Sequence, residues 1–233
     1  MLINAKNNFL KRNEETQMTA PNLTATKYVL LALVISCLAC KKHSTTQIAI
    51  QVFEKVSDKE VQILKKTIQT NFSFDTVVVL KTIKTPQQFY INTKSSRDGA
   101  DSIIHFLKSD SKWTEFDYVI GITSTDISTT KYSNYLFKII KNPTWKYSDW
   151  GIFGLGYRPG KSCILSTFRL KRNTSLNNYY KRLEKVATHE IGHNLGLKHC
   201  PNKTCVMTDA VESITTVDNC KKTFCTSCYD KLK

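Results

Sequence analysis

The segment HEIGHNLGLKHCPNKTCVM, from His189 to Met207, holds three histidines, a glutamate, two cysteines and a methionine in nineteen positions. His189 and His193 are four residues apart, so on a helix both imidazoles leave one face and can grip one ion. Glu190 lies beside the first of them, where a carboxylate can reach a water polarised by that ion. Gly196 can stop the helix in the left-handed region and turn the chain back, bringing His199 to the same ion. Three neutral imidazoles leave the fourth tetrahedral position to water, which distinguishes a catalytic zinc from a structural one. Zinc lowers the pKa of that water to about 7, and Glu190 can take its proton as it attacks a polarised carbonyl. That chemistry is amide hydrolysis. The bland alternative, a helix with solvated histidines, leaves the full H-E-x-x-H-x-x-G-x-x-H spacing unexplained.

Four cysteines follow a second spacing. Cys200 and Cys205 form one close pair, Cys225 and Cys228 another, with a connecting loop between them. This is structural-zinc spacing, and four thiolates at about 2.3 Å leave no open position for chemistry. Such an ion would pin the end of the chain, which is too short and polar to build its own core. In an exported protein the same residues could form two disulfides instead. Cys163 and Cys220 are left over; they could pair, stay as buried thiols, or lie apart.

The pattern H-E-x-x-H-x-x-G-x-x-H-C-x(4)-C-x-M-x(17)-C-x-x-C runs without a gap through His189, Glu190, His193, Gly196, His199, Cys200, Cys205, Met207, Cys225 and Cys228. In this the chain resembles the archaemetzincins, a branch of the metzincin zinc metallopeptidases, over residues 47–230. The resemblance implies a metzincin-like (zincin) fold of the α/β (α+β) class. Its parts would be a mixed, mainly parallel sheet, an active-site helix and a small zinc-bound C-terminal subdomain. It also implies two zinc ions per chain, one catalytic and one structural, and a peptide or protein substrate. Met207 would be the residue of the Met-turn, a hydrophobic floor beneath the imidazoles. The segment SCILSTFRL would be an antiparallel edge strand above the cleft, on which an extended peptide could pair. Ser166 and Thr167 are then weak candidates for substrate contacts.

These side chains need a scaffold, and the rest of the chain supplies one. TQIAIQVF and DTVVVLKTI are β-branched runs of strand length, with SDKEVQILKKTIQTNF between them. In that middle segment Ser57 can cap a helix with Glu60 at its third position, while Val61, Ile63, Leu64 and Ile68 recur at helical spacing. A second amphipathic helix runs through Ile103, Ile104 and Leu107, with His105 beside its apolar face as a partly buried residue rather than a ligand. DYVIGITSTDI reads as a further strand, and residues 130–150 as a loop. WGIFGLGYRPGKSCILSTFRL reads as two strands joined by a turn at Arg158–Pro159–Gly160. The long helix NNYYKRLEKVATHEIGHNLG then carries the first two histidines, with Tyr180, Leu183, Ala187, Ile191 and Leu195 as its apolar stripe. Strands alternating with helices argue α/β.

The 233 residues suffice for one domain with a proper core. The formal net charge of +15 is spread in ones and twos, with no run long enough for a nucleic-acid arm. Nucleic acid is therefore not an expected partner, whereas anionic surfaces are. Near the start, Tyr28 to Cys40 is a thirteen-residue apolar run flanked by Lys27, Lys41 and Lys42. It is too short to span a hydrocarbon core of about 30 Å and suits an export signal. VISC, ending at Cys37, resembles a bacterial lipobox, and Cys40 is the fallback for lipid attachment. An uncleaved signal or inefficient membrane anchor is the alternative, and Met18 could be the true start. The expected organisation is a signal segment over 1–40, a tether over 41–46 and the catalytic domain over 47–233, dividing into 47–196 and 197–233. The protein is expected to be a monomeric lipoprotein outside the cytoplasm. Two rival readings are a proteolytically silent zinc-bound module that retains the cleft for peptides, and a basic adaptor for anionic polymers or membrane.

Overall fold

The computed structural model describes residues 45–209 and 213–232. The described part runs β1 (Gln47–Val52), α1 (Asp58–Asn71), β2 (Thr76–Val79), β3 (Tyr90–Ile91), β4 (Arg97–Gly99) and α2 (Ala100–Ser109). It continues through β5 (Tyr118–Thr123), β6 (Ile127–Thr129), β7 (Tyr132–Asn134), β8 (Ile139–Ile140), α3 (Thr144–Tyr147) and β9 (Trp150–Ile152). Then come β10 (Gly154–Gly156), β11 (Ser162–Ser166), α4 (Leu176–Asn194), α5 (Ile214–Asn219) and α6 (Thr226–Tyr229). The main sheet has the order β10-β11-β5-β1-β2, parallel except for β10, which runs antiparallel to β11 at one edge. A second sheet, β3-β4-β6-β9, and the hairpin β7-β8 stand apart from it.

Both faces of the main sheet are covered, so its strands read as continuous apolar runs. In β1, Ile48, Ile50 and Val52 join one cluster with Leu64 and Ile68 of α1 and Leu183, Ala187 and Ile191 of α4. The alternating residue Ala49, with Phe53 just beyond the strand, joins Ile103, Ile104 and Leu107 of α2 in the other. The polar member, Gln51, is buried yet satisfied. Its amide donates to Val52 O and Lys81 O, and its carbonyl accepts from the Trp113 indole at 3.1 Å.

Helix α1 starts where the sequence puts it: the Ser57 hydroxyl accepts from the Glu60 amide and the Glu60 carboxylate accepts from the Ser57 amide. That carboxylate also accepts from the Tyr179 hydroxyl of α4 and pairs with Lys171 at 2.7 Å. One buried group thus caps α1 and ties it to α4.

Three expectations need correcting. Ser162–Ser166 is an interior strand parallel to β5, and the antiparallel edge is β10, the short GLG stretch before it. Continuous burial along β11 is the mark of an interior parallel strand; two glycines leave β10 with too little side chain to show a strand pattern. Residues 130–150 are also not a plain loop, since they carry the β7-β8 hairpin and α3. His105, expected to be partly buried, is instead exposed on α2, and it takes no part in either donor cluster described below.

Burial pushes the Glu60 carboxyl up, but Lys171, Tyr179 and the Ser57 groups outweigh it and hold its pKa below 4.5. A lowered folded-state value stabilises above the unfolded pKa and is lost as the pH falls through the folded one. Glu60→Gln should therefore cost about 2 kcal/mol at pH 7 and less at pH 3.5, which lies below the unfolded value. Urea denaturation of both chains at the two values checks this; an equal gap at both would remove the charge from the account.

Candidate active site

Helix α4 is anchored on several sides before it presents any chemistry. The Ser175 hydroxyl caps it by accepting from the Asn178 amide at 3.3 Å. Arg182, buried, donates twice to Asp218 at 2.7 Å and also to Leu170 O and Arg172 O. Lys185 donates to Val217 O and Asp218 O, carbonyls at the C-terminal end of α5, where a cation is favoured. Asn194 donates to Tyr157 O and Ser162 O, locking the end of the helix to the β10–β11 connection.

The helix then stops as its glycine requires. Gly196 sits at φ +95, its amide bonds to His193 O at 2.9 Å and the Leu197 amide to Gly192 O at 2.9 Å. This is a Schellman turn, with Leu197 buried behind it. The turn does two things at once. It carries the chain back toward His199, and it aims Leu197 O at His193 Nδ1, 2.7 Å away.

Three imidazoles converge. His193 Nε2 lies 3.0 Å from His189 Nε2 and 3.2 Å from His199 Nε2. A carbonyl can only accept, so His193 Nδ1 donates to Leu197 O and His189 Nδ1 donates to Val206 O at 2.8 Å. Each of these rings therefore turns a bare Nε2 lone pair toward the common point. His199 Nδ1 lies 3.3 Å from the Asp209 carboxylate. Burial is the main cause lowering all three pKa values, to about 3 for His189 and about 4 for His193, so these rings are neutral at pH 7. Nitrogens about 2.0 Å from a tetrahedral centre stand about 3.3 Å apart, which these spacings approach, so the donor set fits zinc.

The cysteines gather beside them. The sulfurs of Cys200, Cys205, Cys225 and Cys228 lie within 4.8 Å of one another, with Cys200 and Cys225 at 3.7 Å. All four are free thiols. A tetrahedron of sulfurs about 2.3 Å from its centre has edges of about 3.8 Å, so this set also fits zinc. The Cys225 thiol is lowered to about 7, chiefly by the Cys228 amide, and Cys205 accepts from the Cys225 amide. Among the described residues the core around these sulfurs is small: Leu197, Val206 and Met207, with Phe224 and Leu232 at its margin. Cys163 and Cys220 are both buried free thiols.

Met207 is fully buried, and its carbonyl accepts from the Cys200 amide at 2.8 Å. A Cβ on Gly192 would stand 2.6 Å from its sulfur, so that glycine lets Met207 nest against α4. Above the histidines, the β10 edge crosses close to Glu190. A Cβ on Gly154 would meet the Glu190 side chain at 2.7 Å, and one on Gly156 would meet its carbonyl oxygen at 2.7 Å. Burial, with only protein around it, pushes the Glu190 carboxyl up to about 8; a nearby cation would favour its anion. The cleft that holds these groups has a volume of about 620 Å³.

Several residues in and behind the lining of the cleft gave no signal in the sequence. Arg97 bridges Asp126 and Asp149, both at 2.9 Å, and Arg169 holds Asp126 at 2.6 and 2.9 Å. These four are scattered over more than seventy positions and meet only in the fold. Asp209, two residues after Met207, was the nearest to legible. Ser166 and Thr167 are fully buried: the Ser166 hydroxyl bonds to Thr125 O, so neither offers a substrate contact. Cys37 and Cys40 lie outside the described residues.

The profile described as Peptidase family M54 matches residues 31–233. The chain belongs to peptidase family M54. It is 36% identical over 140 residues to an archaemetzincin of Sulfolobus acidocaldarius, covering 57% of this chain and 67% of that one. It is 29% identical over 160 residues to an archaemetzincin of Halobacterium salinarum, covering 65% and 80%. Its fold is like the crystal structure of archaemetzincin from Methanopyrus kandleri, with a TM-score of 0.65 at 24% identity over 83% of this chain and 96% of that one. The archaemetzincin of Archaeoglobus fulgidus complexed with malonate gives a TM-score of 0.60 at 28% identity, over 80% and 99%. The expected fold class is thus borne out. This M54 chain is a zinc-dependent metallopeptidase that hydrolyses peptides or proteins.

Gly154→Ala should push the Glu190 carboxylate aside without touching a histidine. Turnover should fall about a hundredfold, as expected for a displacement near 1 Å, with metal content unchanged. Peptide hydrolysis beside elemental analysis checks it; full activity would mean that the β10 edge has slack over Glu190.

Proposed function

We propose that His189, His193 and His199 hold the catalytic zinc of this M54 peptidase, with Glu190 as general base and then proton donor. The observation that carries this is the convergence of three Nε2 atoms beside a buried carboxylate. A zinc ion held there supplies Lewis acidity, polarising the scissile carbonyl and lowering the pKa of water to about 7. Glu190 takes a proton from the attacking water on its carboxylate and returns it to the leaving amine. The free edge of β10 offers backbone groups to an extended substrate, which pairs there as an added strand. A silent peptide-binding module would have no need of a carboxylate so closely fitted under that edge.

In the same proposal Cys200, Cys205, Cys225 and Cys228 hold a second, structural zinc, supported by four unbridged sulfurs around a core too small to stand alone. We also infer that the protein is exported as a monomer and anchored by lipid at Cys37, with Cys40 as fallback. The support for the anchor is the apolar run from Tyr28 to Cys40 and the VISC motif.

Purified protein should carry two zinc ions, and a mild chelator should strip the histidine site first because it keeps an open position. One tightly held ion with the four cysteines in disulfides would overturn the second site. Glu190→Ala should lower turnover about a thousandfold and keep both ions, while His199→Ala should lose one ion with the activity. Turnover and metal content measured together separate base from ligand. For the anchor, Cys37→Ser should abolish metabolic lipid labelling and Cys40→Ser should not; equal labelling of the double mutant would exclude both residues.

A further inference from the structure

Between Asp126 and Asp149 the chain has four lysines and no acidic residue. The same stretch carries the four most exposed large apolar side chains of the described residues, with Ile139 beside them. Tyr135 is 75% exposed, Leu136 83%, Phe137 71% and Ile139 54%, all at the end of the β7-β8 hairpin, and Trp145 on α3 is 74% exposed. The tip is built, not slack. The Phe137 amide donates to Asn134 Oδ1 at 3.1 Å, Ser133 donates to Ile139 O, and Lys138 takes the left-handed conformation of the turn at φ +52. The Tyr132 and Tyr135 rings meet edge to face. At its base, Lys131 N donates to Tyr147 O and Lys141 N to Lys131 O, joining the hairpin to α3.

The geometry points to this hairpin as a membrane-docking element that enters the interface of an anionic bilayer. A turn already held by its own hydrogen bonds exposes Leu136 and Phe137 at little further ordering cost. Aromatic rings beside lysines are the composition favoured at headgroup depth. Lys138 is exposed at the tip, while Lys141 and Lys146 lie over the Tyr147 ring at 4.9 and 5.2 Å and stay near the same surface. Among the described residues no helix is long and apolar enough to cross a membrane, so this contact is interfacial. A second copy of the chain is a poorer occupant, because pairing two such tips would set lysine against lysine. Tyr135 and Lys146 also line the catalytic cleft, so docking would hold the cleft mouth at the bilayer surface. This contact depends on neither the lipid anchor nor the chemistry proposed for Glu190.

The test uses the full chain with Trp145→Phe, to silence the neighbouring indole, and Phe137→Trp as reporter, with the Trp145→Phe chain alone supplying the background of Trp113 and Trp150 to be subtracted. Vesicles contain phosphatidylglycerol and phosphatidylcholine, with or without brominated acyl chains. Residues 28–40 could bring the chain to vesicles unaided, so the readout is the indole at 137 and not sedimentation. Its emission should shift to the blue and be quenched by brominated chains in anionic vesicles. Lys138→Gln with Lys141→Gln should raise the lipid concentration for half-maximal quenching about thirty-fold. Glu190→Ala should leave both responses intact, and Leu136→Ser should leave hydrolysis of a short soluble peptide intact. The proposal is overturned if the indole keeps its aqueous emission while the chain sediments with vesicles, or responds equally to neutral ones. It is equally overturned if the shift comes from raised protein concentration alone, or from a peptide without lipid.

Discussion

Two backbone carbonyls decide what the helix histidines can do. Val206 O and Leu197 O take the Nδ1 protons, leaving each Nε2 with a lone pair and nowhere to turn it except toward the other rings. Neutral lone pairs about 3 Å apart repel, and a cation set between them would relieve that repulsion. Neither carbonyl belongs to the helix. Both come from the segment that follows it, so the donor set depends on how the chain returns after Gly196. The left-handed turn, the nesting of Met207 against Gly192 and the bond from the Cys200 amide to Met207 O are all conditions of that return.

The remainder of the fold keeps α4 still while this happens. Glu60 and Tyr179 fasten its early turns to α1, the Arg182–Asp218 pair fastens the middle to α5, and Asn194 fastens its end to the sheet. Each of these polar groups is buried or half-buried and paired, where loss of one partner is far costlier than a surface contact. On the open side, β10 approaches Glu190 so closely that only glycine leaves room. Rigidity beneath and a close strand above are what a carboxylate needs if its position is to matter within an ångström.

The helix, its stop and both donor sets were legible because their spacing is local: residues four apart share a face, and glycine after the last periodic residue ends the helix. The Ser57–Glu60 cap was legible for the same reason. What escaped was set by tertiary contact. A stretch as short as Gly154–Gly156 has no pattern of its own, and the longer, more apolar neighbour at Ser162 drew the edge assignment to itself. The Arg97, Asp126, Asp149 and Arg169 network had no spacing to read, since its members meet only after the second sheet forms. Tyr179, next to the expected Tyr180, is the deeper of the two because its hydroxyl reaches Glu60, a partner more than a hundred residues away.

His199 and Cys200 are neighbours in the chain yet face different donor sets, with a single peptide unit between them. That unit cannot be ordered for one set and loose for the other. With an ion in each, as proposed, whichever arrived first would remove conformational freedom that the second would otherwise have to remove, so loading would be cooperative without any contact between the ions. The thiolate set, closed and drawing two sulfurs from near the chain's end, is the natural first occupant. Maturation would then run from the C-terminal residues inward, with catalytic competence as its last event.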